Sequence, residues 1–205
     1  MTNYSQYGEQ YLIDAALGDT KNGIYIDIGA HDGIECSNTR FLWERGWFGI
    51  LVEPTKERYK KITENYNKRV VIFRNAICKE NSTVIINNCI DIKDGRSSIY
   101  YDIVEQIGKD KFTQEEVEAI TFNDLMIRCK QTNLNFEESN INVISIDAEN
   151  EDLNILLSIP FKFIRPKVLV IETGQDYNGI MEIMTMSNYR LFARTFANLI
   201  FKRND

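Results

Sequence analysis

No C-x-x-C pair occurs among the four cysteines, Cys36, Cys78, Cys89 and Cys129, which lie far apart. That spacing excludes the usual zinc sites, and a disulfide framework is a poor match for a chain of 205 residues. Buried thiols in a reducing cytoplasm are the expectation. Basic runs are also missing: none exceeds Lys60-Lys61, and the net charge is −6 with a pI of about 5.0. Neither nucleic acid nor an acidic membrane surface is therefore an expected partner. No apolar stretch approaches the length of a membrane span. The first residues, Met-Thr-Asn-Tyr-Ser-Gln, offer neither a charged nor an apolar signal region. G-x-G-x-x-G is absent too, which argues against a cradled pyrophosphate. His31 is the only histidine.

What remains is an ordinary globular composition, 43% apolar and 26% charged, suited to one domain over residues 1–205. The stretch that organises it is Ile24 to Gly33. Ile24–Ile28 is apolar and β-branched, as in a buried parallel strand, and carries Asp27 near its end. Gly29 and Gly33 follow where the strand must turn and a ligand can approach the backbone.

Further strands are expected at Phe48–Val52, Val70–Phe73, Asn142–Ile146 and Val168–Ile171. Helices are expected over Ser5–Leu17, from Ser37 or Asn38 to Arg45, over Thr55–Asn67, Asp152–Ile159 and Gly179–Met186. The alternation is that of parallel crossover units in a doubly wound α/β sheet. Tyr189–Thr195 and Leu199–Lys202 are close enough to pair as a hairpin. Between these regular parts, Thr83–Ile86 is expected as a strand, Arg96–Tyr101 as a loop, Thr113–Glu118 as helical, Ala119–Phe122 as extended and Asn123–Gln131 as a helix. An insertion at about 87–120 is a usual place for a substrate-covering lid.

Four expected strands end in a carboxylate: Asp27, Glu53, Asp147 and Glu172. Ligands of open α/β sheets bind beyond the carboxyl ends of the strands, so these acids should converge on one crevice. A cationic or hydroxyl-rich ligand would supply the partners that buried carboxylates need. Glu53 lies twenty residues beyond Gly33, where an acid can accept both hydroxyls of an adenosine ribose. His31, within the glycine loop, suits proton transfer. Asp147 or Glu149 is the alternative base or substrate anchor. Asp147, Glu149 and Glu172 also offer oxygen ligands to a divalent metal, though hydrogen bonding to substrate without metal is the preferred reading. Ser5, Gln6 and Glu9 form a polar trio beyond what an amphipathic helix demands and are candidates to cover a cofactor.

Several segments together carry a family resemblance. They are Tyr4-Ser5-Gln6-Tyr7-Gly8-Glu9, Tyr25 to Gly33, Ser37-Asn38-Thr39, Glu44-Arg45-Gly46-Trp47, Gly49 to Pro54, Asn75-Ala76-Ile77, Ser145 to Glu149 and Arg165 to Glu172. In these the chain resembles the FkbM-type methyltransferases. The resemblance implies a class I, Rossmann-like fold with a seven-stranded, mostly parallel sheet and an antiparallel last strand. It implies S-adenosylmethionine as cofactor and O-methylation of a sugar, glycan precursor or natural-product hydroxyl. By the same analogy Asp27, Gly29, Ala30, His31, Gly33, Glu53 and Asp147 contact the cofactor, and Asn75 and Ala76 lie by its adenine. One segment departs: the family's Asp-Val-Glu-Gly-His-Glu is here Asp147-Ala148-Glu149-Asn150-Glu151-Asp152, so no role of that histidine carries over. The expected partner is a small-molecule or carbohydrate acceptor, with homo-oligomerisation left open. The rival readings are a nicotinamide-dependent oxidoreductase and a cofactor-binding protein without activity.

Overall fold

The structure is a computed structural model that describes residues 2–89, 97–98, 112–132, 136–148, 151–173 and 176–205. Its first half alternates α1 (Glu9–Leu17), β1 (Ile24–Ile28), α2 (Arg40–Glu44), β2 (Phe48–Val52), α3 (Lys56–Asn65) and β3 (Val70–Phe73). A second group follows: β4 (Ala76–Ile77), β5 (Ser82–Cys89), β6 (Ser97–Ser98), β7 (Phe112–Ile120) and α4 (Phe122–Gln131). The chain ends with β8 (Ile141–Ile146), α5 (Asp152–Ser158), β9 (Val168–Glu172), α6 (Tyr177–Met186), β10 (Tyr189–Arg194) and β11 (Asn198–Arg203).

Among the described residues seven strands form one sheet in the order β10-β11-β9-β8-β1-β2-β3. The pairs β9-β8, β8-β1, β1-β2 and β2-β3 are parallel, while β11 runs antiparallel to both neighbours. The chain order therefore reverses between β1 and β8. This is the switch point of a doubly wound sheet, where the two sets of crossovers diverge and leave a crevice at the carboxyl ends.

The two faces are covered separately. Tyr25, Leu51, Val143, Val170 and Ile200 pack with Ile13, Phe41, Leu42 and Ile62 from α1, α2 and α3. Ile26, Ile50, Ile144 and Leu169 pack with Leu125, Leu156 and Met184 from α4, α5 and α6. Adjacent strand residues take opposite faces, as the pleat requires, so a strand buried on both sides must be apolar throughout. α3 carries a charged face, with Lys61–Glu57 and Lys60–Glu64 one turn apart at 3.4 and 3.8 Å.

The remaining four strands form a second sheet, β4-β7-β5-β6. It corrects the sequence reading at Thr113–Glu118, expected as helical and found inside β7. Three glutamates favour a helix locally, but β7 pairs antiparallel with β5 from Ser82↔Ala119 to Cys89↔Phe112. Val117 and Ala119 are buried while Glu116 and Glu118 are exposed, the two-residue alternation of a strand. Glu115 pairs with Arg74 on the face it shares with Val117, and Glu118 pairs with Arg128 on the opposite face, so both acids have partners. The flanks of the expected insertion at 87–120 are thus sheet; residues 90–96 and 99–111 lie outside the described residues. So does the Arg96–Tyr101 loop, apart from Ser97–Ser98.

α1 also starts later than expected, at Glu9 rather than Ser5. Gly8 holds φ +82° ahead of the helix, and Ser5 forms an isolated parallel bridge with Cys36. Among the described residues no helix is long and apolar enough to cross a membrane.

Candidate active site

The turn after β1 is shaped by its neighbours. The N–H groups of Gly29 and Ala30 donate to the Val52 carbonyl at 2.9 and 3.1 Å, folding the turn against the end of β2. Gly29 adopts φ +83°, and a Cβ there would stand 1.7 Å from the Asp147 carbonyl oxygen. Only glycine can let the two strand ends approach so closely. Gly33 adopts φ +76°, and its Cβ would meet the Tyr66 ring at 2.4 Å.

The last turn of α3 grips the same loop. The Tyr66 hydroxyl donates to the Gly33 carbonyl at 2.7 Å, and Asn65 Nδ2 donates to the Asp32 carbonyl at 2.9 Å. Asp32 Oδ1 then accepts the N–H groups of Ile34 and Glu35, both at 2.8 Å. Removing the buried Tyr66 hydroxyl leaves the Gly33 carbonyl unsatisfied. Tyr66→Phe should therefore cost about 1–2 kcal/mol, read as a lower urea midpoint with unchanged slope; an unchanged midpoint would reject the clamp.

Two buried carboxylates flank the turn. Asp27 is 5% exposed and accepts the Thr39 hydroxyl at 2.5 Å. Burial pushes its carboxyl up to about 6; the Thr39 hydrogen bond opposes this and the nearby Glu53 charge adds to it. Glu53 is 2% exposed. Its Oε1 accepts the Thr55 N–H and hydroxyl at 3.0 and 2.8 Å, and its Oε2 accepts the His31 N–H at 3.0 Å. Burial raises its pKa also, against the positive charge of Arg58 and the Thr55 hydrogen bonds.

A pKa raised in the folded state costs stability once the unfolded carboxyl has ionised. The contribution of Asp27 is fully present below pH ~4 and is lost as pH rises through about 6. Between those limits the wild type should lose on the order of 2–3 kcal/mol relative to Asp27→Asn. Denaturation of both proteins at pH 4.5 and 7 measures it, and an equal response to pH in the two would refute the assignment.

His31 lies within the turn at φ +53°. Its Nδ1 is buried and 3.6 Å from Asp32 Oδ1, beyond hydrogen-bond length, with no hydrogen-bond partner among the described residues. Partial burial would raise the Asp32 carboxyl, but the imidazole and the N–H groups of Ile34 and Glu35 outweigh it and hold Asp32 well below the usual range. An anionic Asp32 therefore faces one edge of the ring.

The other expected site residues distribute as follows. Asp147 and Glu172 are half-buried at the ends of β8 and β9, and the Asp147 N–H donates to the Ile28 carbonyl at 3.0 Å. Glu149 lies outside the described residues. No group of three or more His, Cys, Asp or Glu suited to a metal occurs among the described residues. Gln6 is exposed, while Ser5 is buried and its hydroxyl accepts the Gln10 N–H at 3.2 Å. Glu9 is fully buried and accepts Thr195 Oγ1 at 2.6 Å, Tyr7 N–H at 2.8 Å and Asn198 Nδ2 at 3.2 Å. Asn75 lies beyond β3, and its Nδ2 donates to Glu118 Oε2 at 2.9 Å and to the Glu118 carbonyl at 3.1 Å; Ala76 opens β4.

Sequence reasoning did not assign roles to Thr39, Thr55, Asn65 or Tyr66. Thr55, two residues after Glu53, was the one with a local signal, since a hydroxyl at that spacing can fold back on the acid.

The sheet order, the reversal between β1 and β8 and the glycine turn flanked by buried acids define a class I, Rossmann-like methyltransferase. The methyltransferase FkbM domain matches residues 27–191, and the chain belongs to that family. It is an S-adenosylmethionine-dependent methyltransferase, and the nicotinamide-dependent alternative is set aside. No curated protein sequence matches this one. Among solved structures the chain is similar to the B. subtilis M1A22 tRNA methyltransferase TrmK, with 11% identity and a TM-score of 0.48 over 99% of this chain and 68% of that one. It is also similar to a TehB-like SAM-dependent methyltransferase from Corynebacterium glutamicum, with 9% identity and a TM-score of 0.47 over 97% and 88% of the two chains. M. jannaschii TYW2 in complex with AdoMet gives 8% identity and a TM-score of 0.42 over 96% and 75%.

Proposed function

We propose that the protein methylates a hydroxyl of a sugar, glycan precursor or natural product in the cytoplasm, with His31 as general base. The observation that carries this reading is the His31–Asp32 pair inside the glycine turn. Asp32 stays anionic 3.6 Å from Nδ1, where its charge stabilises the imidazolium formed when a proton arrives. The second ring nitrogen is then the one that takes the acceptor's proton.

What the chain offers S-adenosylmethionine is the glycine turn at the carboxyl end of β1, with a buried acid, Asp27 and Glu53, on each side. When bound, it supplies a methyl group already activated by the sulfonium, so no acid is required on the leaving side. Glu53 accepts the ribose hydroxyls, and Asp27 faces the cationic amino end. A cation there would favour the ionised form of Asp27 and release a proton on binding near pH 6. Ser5 and Gln6 lie along the segment that bridges to Cys36 and close the cofactor side. Asp147 and Glu172 hold acceptor hydroxyls as hydrogen-bond acceptors. Acid-lined strand ends and a net charge of −6 favour a neutral acceptor over a polyanion.

Transfer of a radiolabelled methyl group from S-adenosylmethionine to neutral glycosides and polyketide alcohols tests the reading. Incorporation into an alcohol supports it; incorporation only into RNA or protein overturns it.

A further inference from the structure

The turn between β10 and β11 presents an aromatic ring that the fold does not use. Phe196 is 84% exposed, and the Tyr7 ring, 46% exposed, lies 5.4 Å from it, centroid to centroid. Single exposed aromatics need no explanation, but two adjacent ones on a fixed frame make an apolar surface out of proportion to a turn.

The frame is Glu9. Its fully buried carboxylate joins the Tyr7 N–H on one side to Thr195 Oγ1 and Asn198 Nδ2 on the other, so the segments that carry the two rings are held together beneath them. This arrangement is preorganised and lies at the active edge of the sheet. The Thr173 N–H donates to the Ala197 carbonyl at 2.7 Å and its hydroxyl to the Phe196 carbonyl at 3.2 Å, which ties the turn to the residue after Glu172. The Ser5–Cys36 bridge brings the start of the Tyr7 segment beside the glycine loop. From β1 the turn is three strand spacings away across β8 and β9, about 14 Å at ~4.8 Å per strand.

We propose that Tyr7 and Phe196 form a stacking subsite for a second ring of an extended, uncharged saccharide acceptor, whose first ring carries the methylated hydroxyl. The proposal rests on the O-methyltransferase reading above and adds the length of the acceptor and the residues that hold its far end. Flat aromatic faces match the C–H face of a pyranose, and the carboxylates of Asp147 and Glu172 accept its hydroxyls in the interval. Those acids repel an anionic chain. A single sugar ring is too short to reach both Asp147 and Phe196.

The test is titration of the full chain, loaded with S-adenosylhomocysteine, with cellobiose, maltose, lactose and N,N′-diacetylchitobiose, read by saturation-transfer NMR. At least one disaccharide should bind the wild type. Phe196→Ser and Tyr7→Ser should each weaken it roughly 3- to 10-fold, and Phe196→Trp should restore it. Both serine positions are exposed, and an unchanged melting temperature separates lost contact from lost fold. Binding of none of the four, or equal binding by the serine variants, overturns the subsite. Binding of a short single-stranded RNA that Phe196→Ser abolishes, with no disaccharide bound, also overturns it, because the rings would then stack bases. Calorimetry with S-adenosylhomocysteine on the same samples separates the two claims: its binding without any disaccharide defeats the subsite alone, and its failure to bind defeats the reading beneath.

Discussion

Turnover in His31→Asn should fall by about 10²–10⁴-fold, the usual loss on removing a general base, with S-adenosylmethionine affinity little changed. Two features make this variant informative. Asparagine tolerates the left-handed backbone that His31 adopts at φ +53° better than most residues, so the turn should survive. The contact to Glu53 comes from the His31 backbone N–H, which any side chain retains. Near-normal turnover in His31→Asn would move the role to Asp147 or Glu149.

The second large effect is expected at Glu53. If it accepts both ribose hydroxyls, Glu53→Ala forfeits about 2–3 kcal/mol of charge-assisted hydrogen bonding, and S-adenosylmethionine should bind roughly 30- to 150-fold more weakly. Stability should change far less. Burial works against the charged form of Glu53 in the free protein, so its removal relieves a desolvation cost while it strips two partners from Thr55 and one from His31. Calorimetry on the folded variant gives the answer, and unchanged affinity would reject the ribose assignment.

The strands at Ile24–Ile28, Phe48–Val52 and Val70–Phe73 were legible to the residue. β1 and β2 are covered on both faces, which demands a nearly continuous apolar run, and the half-buried edge strand β3 shows the same β-branched and aromatic run, Val70 to Phe73. Helix starts were less legible: α1 begins four residues late because Ser5 is held by Cys36 and Gly8 breaks the backbone, neither of which propensity reveals. β7 was misread because glutamates favour helices in isolation, whereas eight paired positions with β5 outweigh a few tenths of a kcal/mol per residue.

The site divides in the same way. Asp27, Gly29, Gly33 and Glu53 could be named from the sequence because strand, acid and glycine turn follow one another along the chain within a single crossover unit. Local chemistry along one stretch determined them. What fixes the shape of the turn is tertiary. Gly29 is required by the Asp147 carbonyl and Gly33 by the Tyr66 ring, groups far from them in the chain. Glu9, read from the sequence as facing a cofactor, is spent on Thr195, Asn198 and Tyr7, because a carboxylate fully out of water takes the nearest donors whatever their place in the chain. The sequence by itself determined the class of sheet and the position of its first turn. Which backbone closes on that turn, and which exposed rings stand at the far end of the same edge, was decided only when distant segments packed together.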